Sequence, residues 1–406
     1  LIGTRMTPKT RRIQVIFYAL AVFAYWASLY FYVPTLSVYA EEVTRDLAIV
    51  GTVISMYGLW QAVARFPLGI LSDSVGRRKP FIILGFMMSA LGAFIMMNAK
   101  GAAGLIIGRG VTGLSAAVWV LIMVGFASLF PPDQAVRLAA VLNIINAVGR
   151  TMATGVNGLL NQWGGYDLAF KVGIGFSILA ILLFLPVKDV VRQRHRPIFK
   201  DIARLATRQD VLVPALLAAL IQFVSTAAVF SFIPIIARNF GATDNHISLL
   251  TMGNIITGVV GNLLISLLTA KVGIRPVLVS GFAISAVGVM MVATSTNYLI
   301  LFPAMFILGL GWSTISILMG LSIRYVREEE RSTAMGLHQS VYGFGMFFGP
   351  YLSGFIARAI GVHELFWVLL AVIIFSGFAG AIAIKRIEQK MAVQNTTDMA
   401  AATAGK

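Results

Sequence analysis

Long apolar runs separated by short polar stretches dominate the chain. Each run is about 20 residues or longer, which is enough for a helix to cross the hydrocarbon core of a bilayer. Because backbone in lipid must satisfy its own hydrogen bonds, these runs predict transmembrane helices. The pattern predicts twelve of them, at 14–38, 47–71, 80–98, 103–130, 135–160, 167–186, 211–237, 247–270, 276–294, 298–323, 333–357 and 365–384.

The composition agrees with an all-α membrane protein in contact with the lipid bilayer. Of the 406 residues, 58% are hydrophobic and 12% are charged, which is roughly half the charged fraction of a soluble domain. The absence of cysteine excludes disulfides and thiolate metal ligands, and the four histidines are scattered. The chain carries no phosphate-binding loop, dinucleotide fingerprint or catalytic-triad spacing. We therefore expect neither an enzyme nor a cofactor, and we expect a monomer.

The basic residues between the runs predict the orientation. If both termini are cytoplasmic, most of the 32 Lys and Arg lie in cytoplasmic loops, a bias that is typical of membrane proteins. The net charge of +16 then reflects this bias and not nucleic-acid binding. The pattern predicts a multi-pass protein of the plasma membrane. Its outer loops carry four cations, which are Arg45, Lys100, Arg238 and Arg358.

The longest polar break divides the predicted helices into two sets of six. It predicts helical bundles at 1–186 and 211–390, joined by a cytoplasmic linker at 187–210. Apolar residues of the linker between Ile198 and Ala206 fall on one helical face, which favours an amphipathic helix at the membrane surface. A partly ordered linker is the alternative. The polar tail at 391–406 is predicted to be disordered.

The two halves also repeat. Residues 80–92 align with residues 276–288, and at the same offset Gly113 meets Gly309 and Gly149 meets Gly345. Corresponding segments run in the same direction, so the halves are parallel repeats related by an axis along the membrane normal. Transporters with such repeats rock two six-helix bundles around a central cavity.

Two motifs point to a family. Residues 69–79 read G-x-x-x-D-x-x-G-R-R-K, and predicted helix 4 places Gly113 four residues after Arg109. With these motifs the chain resembles the major facilitator superfamily, and within it the drug–proton antiporter branch with twelve helices. The resemblance implies alternating access, proton-coupled export of a small amphipathic or anionic substrate, and gating by the loop residues Gly69, Asp73, Gly76, Arg77 and Arg78.

One departure leaves other functions open. The Gly/Pro pattern that antiporters carry in helix 5 is incomplete here between Ala140 and Gly158, and it is nearly intact between Gly336 and Gly354 in predicted helix 11. Uptake or exchange of an organic anion is therefore an alternative to export. A lipid flippase and a transporter-like receptor without net transport are further alternatives.

Buried charge predicts the substrate class. None of the 16 acidic residues falls in the middle of a predicted helix, whereas Arg109 and Arg150 do. A charge in the span is costly, so both arginines should face the bundle interior. The cavity should then prefer a neutral or anionic substrate. We predict that one or both arginines bind a substrate anion or bias a nearby titrating group, with a supporting role in packing as the alternative for Arg109. Arg65 and Lys171, near helix ends, are predicted to snorkel.

Aromatic and uncharged polar residues near mid-membrane complete the predicted binding set. Such residues also pack helices together, so each alone is a weak signal. His338 is the one histidine within a predicted span and titrates near neutral pH. It is predicted, with Arg109 and Asp73, to couple proton movement, and packing is its alternative. The remaining binding candidates are Tyr25, Trp26, Tyr30, Asn143, Asn146, Gln222, Asn254, Trp312 and Gln339.

Asp73 has a second predicted role. We expect it to meet a helix N-terminus across the interface between the bundles, near predicted helix 11, when the cytoplasmic side is closed. Ala270 stands at the corresponding position of the second half. The predicted latch is therefore one-sided.

Overall fold

The computed structural model describes residues 8–130, 135–189, 204–327 and 330–404. Within these ranges the regular structure is helical throughout, as the apolar runs predict. The predicted linker helix lies mostly outside the described residues, and so does the side chain of Asp73. The helices of the first half are α1 (Pro8–Tyr30), α2 (Leu36–Thr44), α3 (Leu47–Val75), α4 (Lys79–Met97), α5 (Ala102–Ala117), α6 (Trp119–Ala127) and α7 (Ala135–Phe184).

The second half has the same all-helical character. A π-helical segment, Ala228–Phe232, joins α8 to α9, and a 3₁₀ turn, Tyr298–Ile300, precedes α12. The helices are α8 (Gln209–Ala227), α9 (Ile233–Asn239), α10 (Asp244–Val272), α11 (Ile274–Ala293), α12 (Leu301–Trp312), α13 (Thr314–Arg324), α14 (Arg331–Ile360) and α15 (Val362–Ala404).

Ten helical stretches of the described residues are long and apolar enough to span a membrane. One of them, within α7, is interrupted at Gly164 and Gly165, whose backbone angles are not helical. Gly165 has φ +66°, a conformation that glycine adopts without a steric penalty. The interruption falls between the predicted helices 135–160 and 167–186.

The molecule has two faces, at which the helices begin and end. The basic face carries the loop Gly76–Lys79, the end of α7 and the start of α8. Gln14 of α1 bonds the backbone of Pro186 and Lys188 there. The opposite face carries the end of α2, the start of α10 and the end of α14. At that face Tyr166 donates a hydrogen bond to Glu42.

Helices α3 and α14 join the two halves as an antiparallel pair. Small residues let their backbones touch near the opposite face. A Cβ atom on Gly51 would lie 2.2 Å from the Pro350 carbonyl oxygen and 2.8 Å from the Gly354 Cα. Further along the pair, Gly58 meets Met346 and Ala62 meets Gly343. The α3–α14 interface is therefore closely packed over much of its length.

The last helix differs from the prediction for the tail. It continues to Ala404, through most of the stretch 391–406 whose composition predicts disorder. This stretch is rich in Ala and also contains Met and Gln, which favour helix.

Candidate functional site

Arg150 of α7 lies where the two halves meet. Its guanidinium carbon is 4.4 Å from the centroid of the Tyr30 ring, at the end of α1. It is also 5.8 Å from the ring of Trp312, at the end of α12 in the second half. The buried Nε of Arg150 finds no hydrogen-bond partner among the described residues. Aromatic rings from both halves thus position a cation with donor capacity left for a ligand.

Trp312 is itself oriented by the second half. Its indole Nε1 donates a hydrogen bond of 2.9 Å to Oε1 of Gln222 on α8, and Gln222 is only 5% exposed. The ring of Phe230, in the π-helical segment, lies 6.5 Å from the ring of Tyr30. Three predicted residues, Tyr30, Gln222 and Trp312, are therefore brought together around Arg150.

Two more donors lie close to Arg150 along the helices. Thr154 follows it by four residues on α7, which places both on one helix face. Thr154 is fully buried, and its Oγ1 has no partner in the described chain. Trp26 lies one turn before Tyr30, with ring centroids 6.3 Å apart, and its buried Nε1 is likewise unpaired there. Donors that are unpaired within the described chain suit an anionic or carbonyl-bearing ligand. The i,i+4 spacing from Arg150 would have identified Thr154 in the sequence.

Other predicted binding residues make contacts within a single half or are partly exposed. Tyr25 is completely buried, and its hydroxyl donates to the Ser115 carbonyl at 2.8 Å. Asn254 donates to the Met305 carbonyl at 2.8 Å and so ties α10 to α12. Asn143 is exposed and Asn146 is half-buried.

Arg109 of α5 lies inside the first half. It is 5% exposed, and its guanidinium carbon is 4.4 Å from the centroid of the Tyr57 ring. Nε and Nη1 have no hydrogen-bond partner among the described residues. The predicted packing role requires hydrogen bonds to helix-end carbonyls or Asn side chains. Nε and Nη1 make no such bond among the described residues. A desolvated cation–π contact contributes about 2 kcal/mol, less than the several kcal/mol that burial of one ion costs.

Arg109 and Arg150 share an aromatic environment. Tyr57 is within electrostatic range of both guanidinium groups, and Arg109 is in the same range of Tyr30 and Tyr32. The hydroxyl of Tyr32 is buried and unpaired within the described part of the chain. Each buried cation thus lies against a tyrosine ring, Tyr57 for Arg109 and Tyr30 for Arg150.

Arg65 of α3 makes a connection that the sequence did not predict. It is 7% exposed, and its Nη1 donates to Oε1 of Gln339 at 3.0 Å and to the hydroxyl of Tyr342 at 3.2 Å. Both acceptors are on α14 of the second half. Arg65 therefore bridges the halves, whereas a position near a helix end predicts snorkelling. Gln339 and Tyr342 are three residues apart and so lie on one helix face. This spacing is the feature of the sequence that could have indicated the contact with Arg65.

His338 lies within the second half. It is fully buried, and its Nδ1 is 2.7 Å from Oγ of Ser322 on α13. Its Nε2 has no partner among the residues described, and its ring is 6.1 Å from that of Tyr342. His338 is thus one residue from Gln339, the partner of Arg65, but it packs between α13 and α14.

The predicted gating loop is joined to its own half. Gly76 ends α3 with φ +72°, Arg77 is exposed, and the Arg78 amide donates to Asp189 Oδ1 at 3.4 Å. The Lys79 ammonium donates to the Val187 carbonyl at 2.7 Å. A Cβ on Gly69 would meet no atom within 4 Å. The loop therefore ties the start of α4 to the end of α7.

Charged and polar pairs join the halves at the opposite face. Arg358 of α14 donates to Asp46 at 3.2 Å, and Asn161 of α7 donates to Asp244 of α10 at 2.7 Å. Asp244 also pairs with Arg238. Deeper in, Ser248 donates to Asn157 at 3.0 Å. These contacts hold α3 against α14 and α7 against α10.

The chain belongs to the Major Facilitator Superfamily, whose family model matches residues 18–234 and 215–404. An uncharacterized MFS-type transporter of Methanocaldococcus jannaschii is 22% identical over 388 residues, which cover 91% of this chain and 98% of that protein. The inner membrane transport protein YajR of Escherichia coli is 36% identical over 98 residues, which cover 23% of this chain and 21% of that protein. The chain is thus a multi-pass membrane transporter of the MFS type.

Solved structures share the fold. A bacterial homolog of the human lysosomal transporter Spinster, in an inward-facing and unoccupied conformation, superposes with a TM-score of 0.78 at 13% identity. The match covers 93% of this chain and 98% of that one. The nucleoside transporter NupG superposes with a TM-score of 0.74 at 18% identity and covers 92% of this chain and 99% of that one. At these identities the likeness concerns the fold alone.

Proposed function

We propose that this protein is a secondary transporter that moves a small organic anion with a flat or apolar part across the membrane by alternating access. One observation carries the proposal. Arg150 lies between Tyr30 of the first half and Trp312 of the second, and its buried Nε is unpaired in the described chain. A carboxylate or phosphate would accept hydrogen bonds from the guanidinium, while the flanking rings would contact the apolar part.

The position of Arg150 favours transport over static binding. Its two aromatic neighbours belong to different halves, so a movement of one half against the other changes the distance between them. A substrate that contacts both rings would be held in one arrangement and released in the other. This is how a site at a repeat interface serves alternating access.

We further propose twelve membrane crossings in two six-helix bundles. Helix α7 has 50 residues and would be about 75 Å long, more than twice the hydrocarbon thickness of about 30 Å. The break at Gly164 and Gly165 divides it into two crossings. Helix α14, with 30 residues, is long enough for one more crossing although it is less apolar. The positive-inside rule then places the basic face and both termini in the cytoplasm.

The contacts at the opposite face favour an arrangement that is closed to the outside. The pairs Asp46–Arg358 and Asn161–Asp244 join the halves there. Under alternating access these pairs break when the site opens outward. The substrate would then reach Arg150 from the outer side.

Transport in proteoliposomes tests the proposal. We expect a panel of radiolabelled aromatic carboxylates and phosphates to include a substrate that exchanges in counterflow, an assay that needs no driving force. Arg150→Gln should weaken its binding by about tenfold or more, because it removes a charge-assisted hydrogen bond. Arg150→Lys should recover part of the loss, since it keeps the charge but not the planar fork. A cation as the preferred substrate, or wild-type exchange by Arg150→Gln, would contradict the proposal.

Lys171→Gln is the matched control. Lys171 is also on α7, but its side chain is 61% exposed and pairs with Asp167 at 3.8 Å. We expect exchange at the wild-type rate, because an exposed ion pair contributes little. If a labelled anionic phospholipid crosses the membrane and no soluble anion does, the protein is a flippase.

Proton coupling remains a prediction from the resemblance to drug–proton antiporters. His338 is available for it as a buried histidine next to the Arg65–Gln339 contact. An imposed pH gradient should then drive accumulation or export of the counterflow substrate, and His338→Gln should abolish the effect of the gradient while counterflow continues.

A further inference from the structure

We propose that Arg109 holds a small inorganic monoanion of the halide class, at a position separate from the organic substrate at Arg150. This inference depends on the contacts of Arg109 and not on the identity of the substrate. It concerns the interior of the first half, where α1, α3 and α5 bring together one arginine and several tyrosines.

The first step is the unpaired cation. Arg109 is 5% exposed, and its Nε and Nη1 lack hydrogen-bond partners among the described residues. The described acidic residues of the first half lie near helix ends, near the break in α7 and in loops, whereas Arg109 follows the start of α5 by two turns. An arginine does not lose its proton in a protein, so a counter-charge must come from elsewhere.

The second step is the way the helices place the guanidinium. Gly113 follows Arg109 by four residues and lies on the same face of α5. A Cβ at Gly113 would be 2.7 Å from the Tyr57 carbonyl oxygen and 3.0 Å from the Tyr57 Cα. The glycine thus lets α5 touch α3 at Tyr57, and the Tyr57 ring then covers one side of Arg109 at 4.4 Å. The guanidinium is held in place by packing, while its Nε and Nη1 remain unpaired among the described residues.

The third step is the chemistry of the surroundings. Tyr32 is 2% exposed, its hydroxyl is unpaired among the described residues, and it is in electrostatic range of Arg109. Guanidinium N–H groups and a phenol O–H are donors, and an anion without its own donors satisfies them all. One negative charge neutralises the single buried positive charge, whereas a dianion would leave one buried negative charge unpaired. The near-complete burial of Arg109 favours an ion of atomic size over an organic anion.

Equilibrium binding of radiolabelled chloride to the purified full chain, in gluconate buffer, tests the inference. We expect one saturable site in the wild type. Arg109→Gln should weaken chloride binding by about tenfold or more, and Tyr32→Phe, which keeps the ring, should weaken it less. Lys171→Gln, at an exposed ion pair, should leave chloride binding unchanged, and Arg150→Gln should weaken it less than Arg109→Gln does, which separates this site from the proposed organic-anion site.

A second measurement does not depend on the stability of the Arg109 variant. At equal ionic strength, chloride and bromide should raise the thermal unfolding midpoint of the wild type and of Arg150→Gln, whereas sulfate should not, because a ligand stabilises the state that binds it. The absence of saturable chloride binding in the wild type would show that water alone hydrates Arg109 and would overturn the inference. Equal chloride binding by folded Arg109→Gln would overturn it as well.

Discussion

The two faces of the molecule use their charges differently. At the opposite face, Asp46 pairs with Arg358 and Asn161 pairs with Asp244, so each pair joins one half to the other. At the basic face, the amide of Arg78 bonds Asp189 within the first half. There too, Arg208 bonds Asp210 and the Tyr325 carbonyl within the second half.

This difference assigns different tasks to the two sets of contacts. Pairs that cross the halves must break whenever the opposite face opens, so they set the balance between conformations. Pairs within a half can persist through the transport cycle, so they stabilise each bundle. The contact of Arg65 with α14 also joins the halves, but it lies inside the molecule and not at the basic face. Helix α3 continues for about 15 Å beyond Arg65 toward that face. The predictions below test this division from the largest effect to the smallest.

The largest effect is expected from Gly51→Ala. The new Cβ would lie 2.2 Å from the Pro350 carbonyl and 2.8 Å from the Gly354 Cα, which are backbone atoms that cannot move aside. Closure at the opposite face should become less favourable by about 1–3 kcal/mol, and turnover should fall. The chain has no cysteine, so an impermeant maleimide labels only the introduced Ser248→Cys. This position is buried between the halves, so its labelling rate reports opening of the opposite face. We expect faster labelling in Gly51→Ala.

Gly175→Ala is the matched control for that variant. It places the same methyl group at an exposed position of α7, where no atom lies within 4 Å. Labelling of Ser248→Cys and turnover should match the wild type. Equal labelling rates in the two alanine variants would contradict the role given to the Gly51 contact.

An intermediate effect, on stability alone, is expected from Arg208→Gln. Arg208 bonds both carboxylate oxygens of Asp210, at 3.1 and 2.7 Å, and the Asp210 side chain is 5% exposed. Loss of this partner leaves a buried carboxylate, which should reduce the free energy of unfolding by roughly 1–3 kcal/mol and lower the unfolding midpoint. Labelling of Ser248→Cys should not change, because the contact lies within one half. The Arg204 side chain, which pairs with Glu330, is 57% exposed, so Arg204→Gln should change the midpoint less.

The smallest effect is expected from the ion pair between Asp46 and Arg358. The side chains are 28% and 56% exposed, so Asp46→Asn should shift the closed population by about 1 kcal/mol or less. Labelling of Ser248→Cys should become at most about fivefold faster. A slower rate would show that the pair opposes closure.

The same pair gives a dependence on pH. Partial burial raises the pKa of Asp46, but hydrogen bonds from the Ala48 amide and from Arg358 outweigh it and lower the pKa below its ordinary value. A lowered pKa means that the pair favours closure at neutral pH and loses this effect as the pH falls below about 4. Because the thiolate fraction falls in acid, each rate is divided by that of an exposed cysteine at the same pH; this ratio should rise in acid, and its difference between wild type and Asp46→Asn should vanish there.

Part of the candidate site was predictable from the sequence. A charge within an apolar run is costly, so Arg109 and Arg150 were expected to face the interior, and both are held against tyrosine rings. Tyr30, Gln222 and Trp312 were expected near mid-membrane on helices of different halves. The broken helical geometry at Gly164 and Gly165 falls where the polar pattern divides two predicted helices.

The rest depended on contacts between residues distant in the chain. Arg65 meets Gln339 across 274 positions, and no local pattern distinguishes a bridging arginine from one that reaches the membrane surface. The basic loop was predicted to act across the bundles, and its described contacts are with the end of α7 in its own half. Asp189, which accepts from Arg78, was not singled out, because a linker carboxylate looks solvated in sequence.

The sequence by itself determined that the chain is helical and membrane-embedded, since apolar runs and unsatisfied backbone leave few alternatives in lipid. It also determined which loops carry the cations. The tertiary structure alone decided which partner each charge takes, because the packing of α3 on α14 and of α7 on α10 selects the pairs. It therefore distinguished Arg150, which lies between the halves, from Arg109, which lies within one of them.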